Sequence, residues 1–247
     1  MTPYSTLCDD FYVNISLNTQ MELPANRETV LHFFELIQRR FPSMRSFYCR
    51  EHGGYVLEED KEKEGFRWCS IEPRRVLSGQ VKPESIEGAL DQHRMVLELA
   101  PFELSVTPLD CEALDLLFGF DFTCRGNHNE LVLEALGAIP AFERLVHLPG
   151  TRTVNYEPSV VIALDPECRL HCRVAIETRT SPYQIRTEDY AEDLISVYVT
   201  ARHSGSLPPG HSFPEVLDQL ERVCHDVLEN CVVDQVLRPL ARTIASK

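Results

Sequence analysis

The chain has 247 residues, 43% of them hydrophobic and 25% charged, the proportions of a globular protein with a buried core and not of a disordered or fibrous one. Its 38 acidic side chains against 24 basic ones give a formal charge of -14, which argues against sequence-independent binding to nucleic acid or to an anionic membrane. Of the basic residues 20 are Arg and 4 are Lys, so the positive charge sits almost wholly in fork-shaped guanidiniums suited to carboxylate and phosphate.

The first predicted element is a strand over residues 11–17, where Phe11, Val13, Ile15 and Leu17 alternate with Tyr12, Asn14 and Ser16. Asn26 is placed to cap a helix in which Val30, Leu31, Phe34, Ile37 and Phe41 recur at helical spacing until Pro42. Residues 45–50 and 55–59 read as strands joined through Gly53 and Gly54, and residues 66–71 extend the meander, with Trp68 expected in the core. The charged run at 58–64 reads as a solvated loop that would pair with Arg74 and Arg75. Pro83 opens a helix over 84–99 with Ile86, Leu90, His93, Val96 and Leu97 on one stripe, followed by a short strand at 103–106. Thr107-Pro108-Leu109-Asp110 starts a short helix over 111–117.

The order of elements then begins again. A strand is expected at 118–124, and Asn127 with Glu130 forms a capping-box pattern before a helix broken at Gly137 and Pro140 and resumed over 141–147. Strands follow at 153–164, 168–178 and 194–202, the first two joined by a type I turn at Asp165-Pro166-Glu167. Ser212 and Glu215 cap an amphipathic terminal helix that runs from Phe213 to Leu240, with a break expected near Pro239. Cys224 and Cys231 fall on its apolar stripe. The predicted fold is α+β: antiparallel sheets with helices packed on one face, built as a two-fold architectural duplication of strand, helix, three strands and helix, ending in a long C-terminal helix. The halves are residues 1–107 and 108–247, either as two units or sharing one continuous sheet. The second half also resembles, in element order, a helix-grip arrangement in which a curved sheet wraps the terminal helix and leaves a cavity.

Residues 1–10 hold no basic stretch and no apolar run, and nowhere do about 18 apolar residues follow one another, so neither a secretory signal nor a membrane span is expected and a cytosolic location is the default. Nine cysteines, an odd number without a C-x-x-C, read as reduced thiols.

Candidate chemistry concentrates on the strand at 168–178. Alternation puts Arg169, His171, Arg173, Glu177 and Arg179 on one face, to which Tyr198 and Arg202 from the next strand and Arg186 from the intervening loop would add. Such a surface suits an oxyanion, because guanidiniums bind carboxylate and phosphate bidentately; it equally suits a solvated sheet face with cross-strand ion pairs. Arg125 and His128 flank a predicted helix start, a second place for an anion. No metal site is expected, because His171 points away from Cys168 and Cys172 on a strand, and Cys224 and His225 are adjacent on a helix. No phosphate-cradling glycine loop, H-E-x-x-H or G-x-S-x-G occurs, and no cofactor is implied. The leading expectation is a non-catalytic binding or protein-interaction module with an arginine-rich sheet face. Its partner would be a protein or a small anion, not nucleic acid or membrane, and a homodimer is compatible with the wide sheet or the terminal helix. The alternative is an enzyme acting on a small carboxylate or phosphate held by Arg169, Arg173 or Arg202, with Glu177, His171 or Tyr198 as acid or base. Convergence of those groups in an enclosed pocket separates the two readings.

Overall fold

The computed structural model describes residues 4–50 and 53–247. Among the described residues nine strands join one antiparallel sheet in the order β2-β3-β4-β5-β1-β6-β9-β8-β7. In chain order they are β1 (Asp10–Thr19), β2 (Ser46–Cys49), β3 (Tyr55–Glu58), β4 (Phe66–Glu72), β5 (Arg75–Val81), β6 (Cys111–Cys124), β7 (Ser159–Ala163), β8 (Leu170–Glu177) and β9 (Asp193–Ser204). The helices are α1 (Arg27–Arg40), α2 (Ile86–Glu103), α3 (His128–Leu136), α4 (Glu143–Val146), α5 (Pro182–Thr187), α6 (Phe213–Val227) and α7 (Arg238–Ala245). The fold is α+β with an antiparallel sheet and a long C-terminal helix, as the hydrophobic periods predict. No helix among the described residues is long and apolar enough to cross a membrane.

The core lies between one sheet face and the helices. Phe11, Val13, Ile15 and Leu17 of β1, Leu114, Leu116, Phe118, Phe120 and Phe122 of β6, and Ile195, Val197, Val199 and Ala201 of β9 all bury their side chains there. They meet Val96 and Leu97 of α2 and Val216, Leu217, Leu220 and Cys224 of α6. Burying a polar group is costly unless it is hydrogen-bonded, and the clearest buried polar group of this core is paired at both ends. His93 is fully buried, with Nε2 3.1 Å from the Val13 carbonyl and Nδ1 3.1 Å from Ser78 Oγ. Because a carbonyl can only accept, Nε2 carries the proton and Nδ1 accepts from the hydroxyl, which in turn accepts from Gln92 Nε2 at 2.8 Å. Asn26 caps α1 through Thr29 N, Ser212 and Glu215 form their reciprocal box on α6, and Gly53 and Gly54 adopt the positive φ of the β2–β3 connection.

The structure departs from the sequence reading at identifiable points. Residues 111–117 are not helical: β6 runs unbroken through them, because with β1 and β9 bonded on its two sides this is a central strand. The capping signal at Thr107 is real but closes only a 3₁₀ turn over Pro108–Asp110. The first half holds four strands after α1, not three, because Glu72-Pro73-Arg74-Arg75 is a hairpin turn into β5, and where a strand is expected at 103–106 Glu103 ends α2 and residues 104–106 are an irregular connection. Glu58 and Glu59, expected in solvent, are buried; Glu59 takes Arg67 and Ser43, while Arg75 pairs with Glu72. The strand predicted at 153–164 shrinks to β7, because Asn127 and Asn129 bond the backbone at Thr153, Val154 and Tyr156 and hold that segment outside the sheet. Asn127 accepts from Asn129 N, two residues on. The terminal helix does not break at Pro239. Instead Leu228–Leu237 is π-helical, and the longer-reaching bonds, such as Arg238 N to Val233 O, carry it past the proline. The wider turns also rotate Cys231 into solvent while Cys224 stays buried.

Candidate functional site

Among the described residues no helix covers the second sheet face, and a cavity of about 470 Å³ lies on it. Its course follows from the strand registers. Trp68 pairs with Gly79, Gly79 with Asn14, Asn14 with Leu117, Leu117 with Thr200, Thr200 with Arg173 and Arg173 with Val161, so one row of side chains crosses seven strands. The next row runs Leu77, Ser16, Asp115, Arg202 and His171. These two rows line the cavity, which is therefore a trough perpendicular to the strands. The helix-grip comparison places a cavity beside the terminal helix; the trough is on the opposite face.

Three local features shape the trough. Gly79 leaves the floor bare, and a Cβ there would lie 2.3 Å from both the Trp68 indole and Asn14 Oδ1, so the indole lies across the glycine instead of in the core. Gly119 does the same for the Tyr12 ring one row away. Asn14 Oδ1 is a buried acceptor without a protein donor. Leu77, Leu117 and Val161 make the walls between the polar positions apolar.

The charges are arranged unevenly. Arg202 makes a two-pronged bond to Asp115, 2.5 Å from Nε to Oδ1 and 2.9 Å from Nη2 to Oδ2, so its charge is balanced within the trough. Arg173 donates from Nε to Ser159 Oγ at 3.2 Å, and no described carboxylate lies within ion-pair distance of it. Its Nη atoms, with His171 in the neighbouring row, are the donors the trough offers to an incoming anion.

The other predicted residues have structural duties elsewhere. Arg169 clamps the chain after β9 by bonding the Ser204 and Ser206 carbonyls. Arg179 donates to the Leu194 carbonyl at 2.9 Å, Arg186 lies over the Tyr183 ring, and Arg125 is exposed near the C-terminal end of α7. His128 is buried, with Nε2 near the Cys124 carbonyl and Nδ1 accepting from Arg179 N, and burial pushes its pKa down. The His128 ring thus faces the interior, whereas Arg125 is exposed. Tyr198 faces Tyr12 across Gly119, and the Tyr12 hydroxyl reaches toward Asp121 at 3.4 Å while Ser196 donates to the same carboxylate at 2.5 Å. Burial raises the Asp121 pKa and that of Tyr12. Glu177 is exposed at the end of β8, opposite Ser196. The three candidate acid–base groups therefore do not converge: only His171 lines the trough. Among the described residues no group of three or more His, Cys, Asp or Glu could hold a metal ion.

Sequence reading identified Arg173, Arg202 and His171 but missed Trp68, Asn14, Leu77, Asp115 and Leu117. Alternation alone places Asn14 and Ser16 off the core face; their alignment with Trp68 and Arg173 depends on the registers of five strand pairs. No protein-family model matches the chain, and no curated protein sequence is significantly similar to it.

Proposed function

We propose that the chain is a non-catalytic binding module whose trough takes an elongated ligand with an apolar or aromatic body and one carboxylate or phosphate end. The observation that carries this reading is the pairing of a free guanidinium, Arg173, with an aromatic platform, Trp68, along one open row. Four strand spacings separate Gly79 beneath the indole from Arg173, about 19 Å, a span that suits an extended molecule. The anionic end would sit on Arg173 and His171, where a guanidinium offers two parallel donors, and the body would cross Leu117 and Leu77 toward the indole. A donor group along the body would satisfy Asn14 Oδ1, a buried acceptor whose pairing removes a desolvation cost of about 1–3 kcal/mol. Scattered acid–base candidates weigh against catalysis: a reacting atom near His171 would have neither Glu177 nor Tyr198 beside the trough.

Thermal-shift screening tests this reading, because a ligand that binds only the folded state raises apparent stability by mass action. Medium-chain and aromatic carboxylates, organic phosphates and acidic peptides would be compared on wild type and Arg173→Ala. Stabilisation of wild type by an amphipathic anion, lost in the variant, is expected. A flat response to every class, or equal stabilisation of the two proteins, would reject the site.

A further inference from the structure

The two edges of the sheet are unlike. At one edge, β2 is flanked by Arg45 and Arg50, charges of the kind that discourage edge-to-edge pairing. At the other, β7 has five exposed residues, Ser159-Val160-Val161-Ile162-Ala163, with no charge among them. Val160, Val161 and Ile162 are 62%, 60% and 46% exposed. The strand order adds a comparison within the molecule. Outward from the central β1–β6 pair, the first half runs β5, β4, β3 and β2, and the second runs β9, β8 and β7. The strand third from the centre is covered by β2 in one half and by no described strand in the other. The second half is one strand short.

The hydrogen-bond parity of β7 defines what can fill that place. Ile176 N donates to Pro158 O and Leu164 N donates to Leu170 O, so residues 158, 160, 162 and 164 turn their backbone groups to β8. Alternation then turns the N–H and C=O of Ser159, Val161 and Ala163 outward along the free edge. We infer that this edge pairs with the same edge of a second copy of the chain, antiparallel about a two-fold axis at Val161. In that register the two Val161 residues exchange both backbone bonds, and Ser159 of each chain does so with Ala163 of the other. Val160 meets Ile162 across the axis on one face, while Val161 meets Val161 on the other, and each is a β-branched pair that favours strand association. The register also brings Glu157 of one chain to the level of Asp165 of the other. Both carboxylates are already engaged within their own chain: Glu157 accepts from Thr178 N at 2.7 Å, and Asp165 accepts from Arg169 N at 2.7 Å and Leu170 N at 3.0 Å. An isologous contact of this kind closes on itself, whereas a hydrophobic foreign strand would leave no comparable rule for its register. The sheet would continue through the dimer, with the two troughs meeting where Val161 lines their ends.

Sedimentation equilibrium of the full chain from roughly 1 to 200 μM tests this, since a pair of short strands buries less than the roughly 800 Å² per partner of a standard interface and associates weakly. Wild type should show a monomer–dimer equilibrium, Val160→Lys should be monomeric throughout, and Tyr48→Lys on the opposite edge should dimerise like wild type. Val161→Cys decides the register. Directly bonded antiparallel partners lie about 5.5 Å apart at Cα, within disulfide range, so under mild oxidation the substituted position should cross-link to its own copy, as read by mass spectrometry of the linked peptides. That cross-link also decides the matter if Val160→Lys fails to fold. A wild type that stays monomeric, a folded Val160→Lys that dimerises unchanged, or Val161→Cys chains that do not cross-link would overturn the inference.

Discussion

His93 ties the stability of this fold to pH with a sign and a size that can be worked out. The ring has no solvent exposure, and burial pushes its pKa down from 6.5 to about 4, opposed in part by the bond to the Val13 carbonyl. A second proton would have to go on Nδ1, which accepts from Ser78 Oγ, so charging the ring also requires the Ser78 hydroxyl to turn its hydrogen away and become the acceptor. Above pH 6.5 the imidazole is neutral in both folded and unfolded chains and contributes no pH dependence. Between 6.5 and 4 the unfolded chain takes up a proton that the folded chain refuses, so stability falls as the pH drops, by about 1.4 kcal/mol per unit. Between pH 7 and 5 that amounts to about 2 kcal/mol from this one side chain. His128 and His203 are also held below their ordinary pKa by burial, so the total loss is larger and a subtraction is needed. The assay is urea unfolding of wild type and His93→Gln at pH 7, 6 and 5, the glutamine amide keeping a donor for Val13 O. The variant starts less stable, and its deficit relative to wild type should shrink by about 2 kcal/mol between pH 7 and 5. A deficit that stays constant to within about 0.5 kcal/mol would refute the assignment of a neutral, buried His93 as a source of acid sensitivity.

Three further outcomes are expected. Asp115→Asn leaves Arg202 without its carboxylate and should raise the affinity of an anion for the trough by roughly threefold to tenfold at low salt, measured by titration calorimetry; unchanged affinity would place the anion elsewhere. Gly79→Ala forces a methyl against the Trp68 indole and Asn14, so it should cost about 1–3 kcal/mol and shift tryptophan emission to longer wavelength as the ring lifts into water; an unchanged spectrum would mean the ring does not lie there. Asn129→Ala removes the group that accepts from Tyr156 N and Thr178 Oγ1 and donates to the Val154 carbonyl, for a loss of about 2–3 kcal/mol, with faster amide exchange at Tyr156 than in wild type.

What could be read from the sequence was whatever depends on neighbours along the chain. The alternation in β1, the Asn26 and Ser212 caps, and the Gly53-Gly54 turn are local, and each is present where its residues say. The misreadings occur where distant partners decide. Ala113, Leu114, Leu116 and Leu117 crowd apolar side chains at a spacing that suits a helix, and only the presence of β1 and β9 on both sides makes them a strand. Likewise, residues 153–156 are β-prone but are held off the sheet by two asparagines more than twenty positions earlier. The candidate site divides in the same way. Alternation within β8 put His171 and Arg173 on one face, but Trp68 and Arg173 share a row only through five registers, and Arg202 is neutralised by a residue 87 positions away. Trp68 alternates with Phe66 and Ser70, and as a lone aromatic without a stacking series it reads as core; the glycine opposite it on β5 is what allows the ring to lie on the open face.

The central claim is that the trough binds an elongated anion, and Trp68, the only tryptophan of the chain, is a reporter already in place. The most direct measurement is its fluorescence during titration with the best ligand from the thermal-shift panel, in wild type and in Arg173→Ala. The account predicts a saturable change in wild type, weakened at least tenfold in the variant, because removing a charge-assisted pair costs about 1.5–3 kcal/mol. Saturation with the same affinity in both proteins, or a ligand that stabilises the fold without altering Trp68 emission, would contradict it.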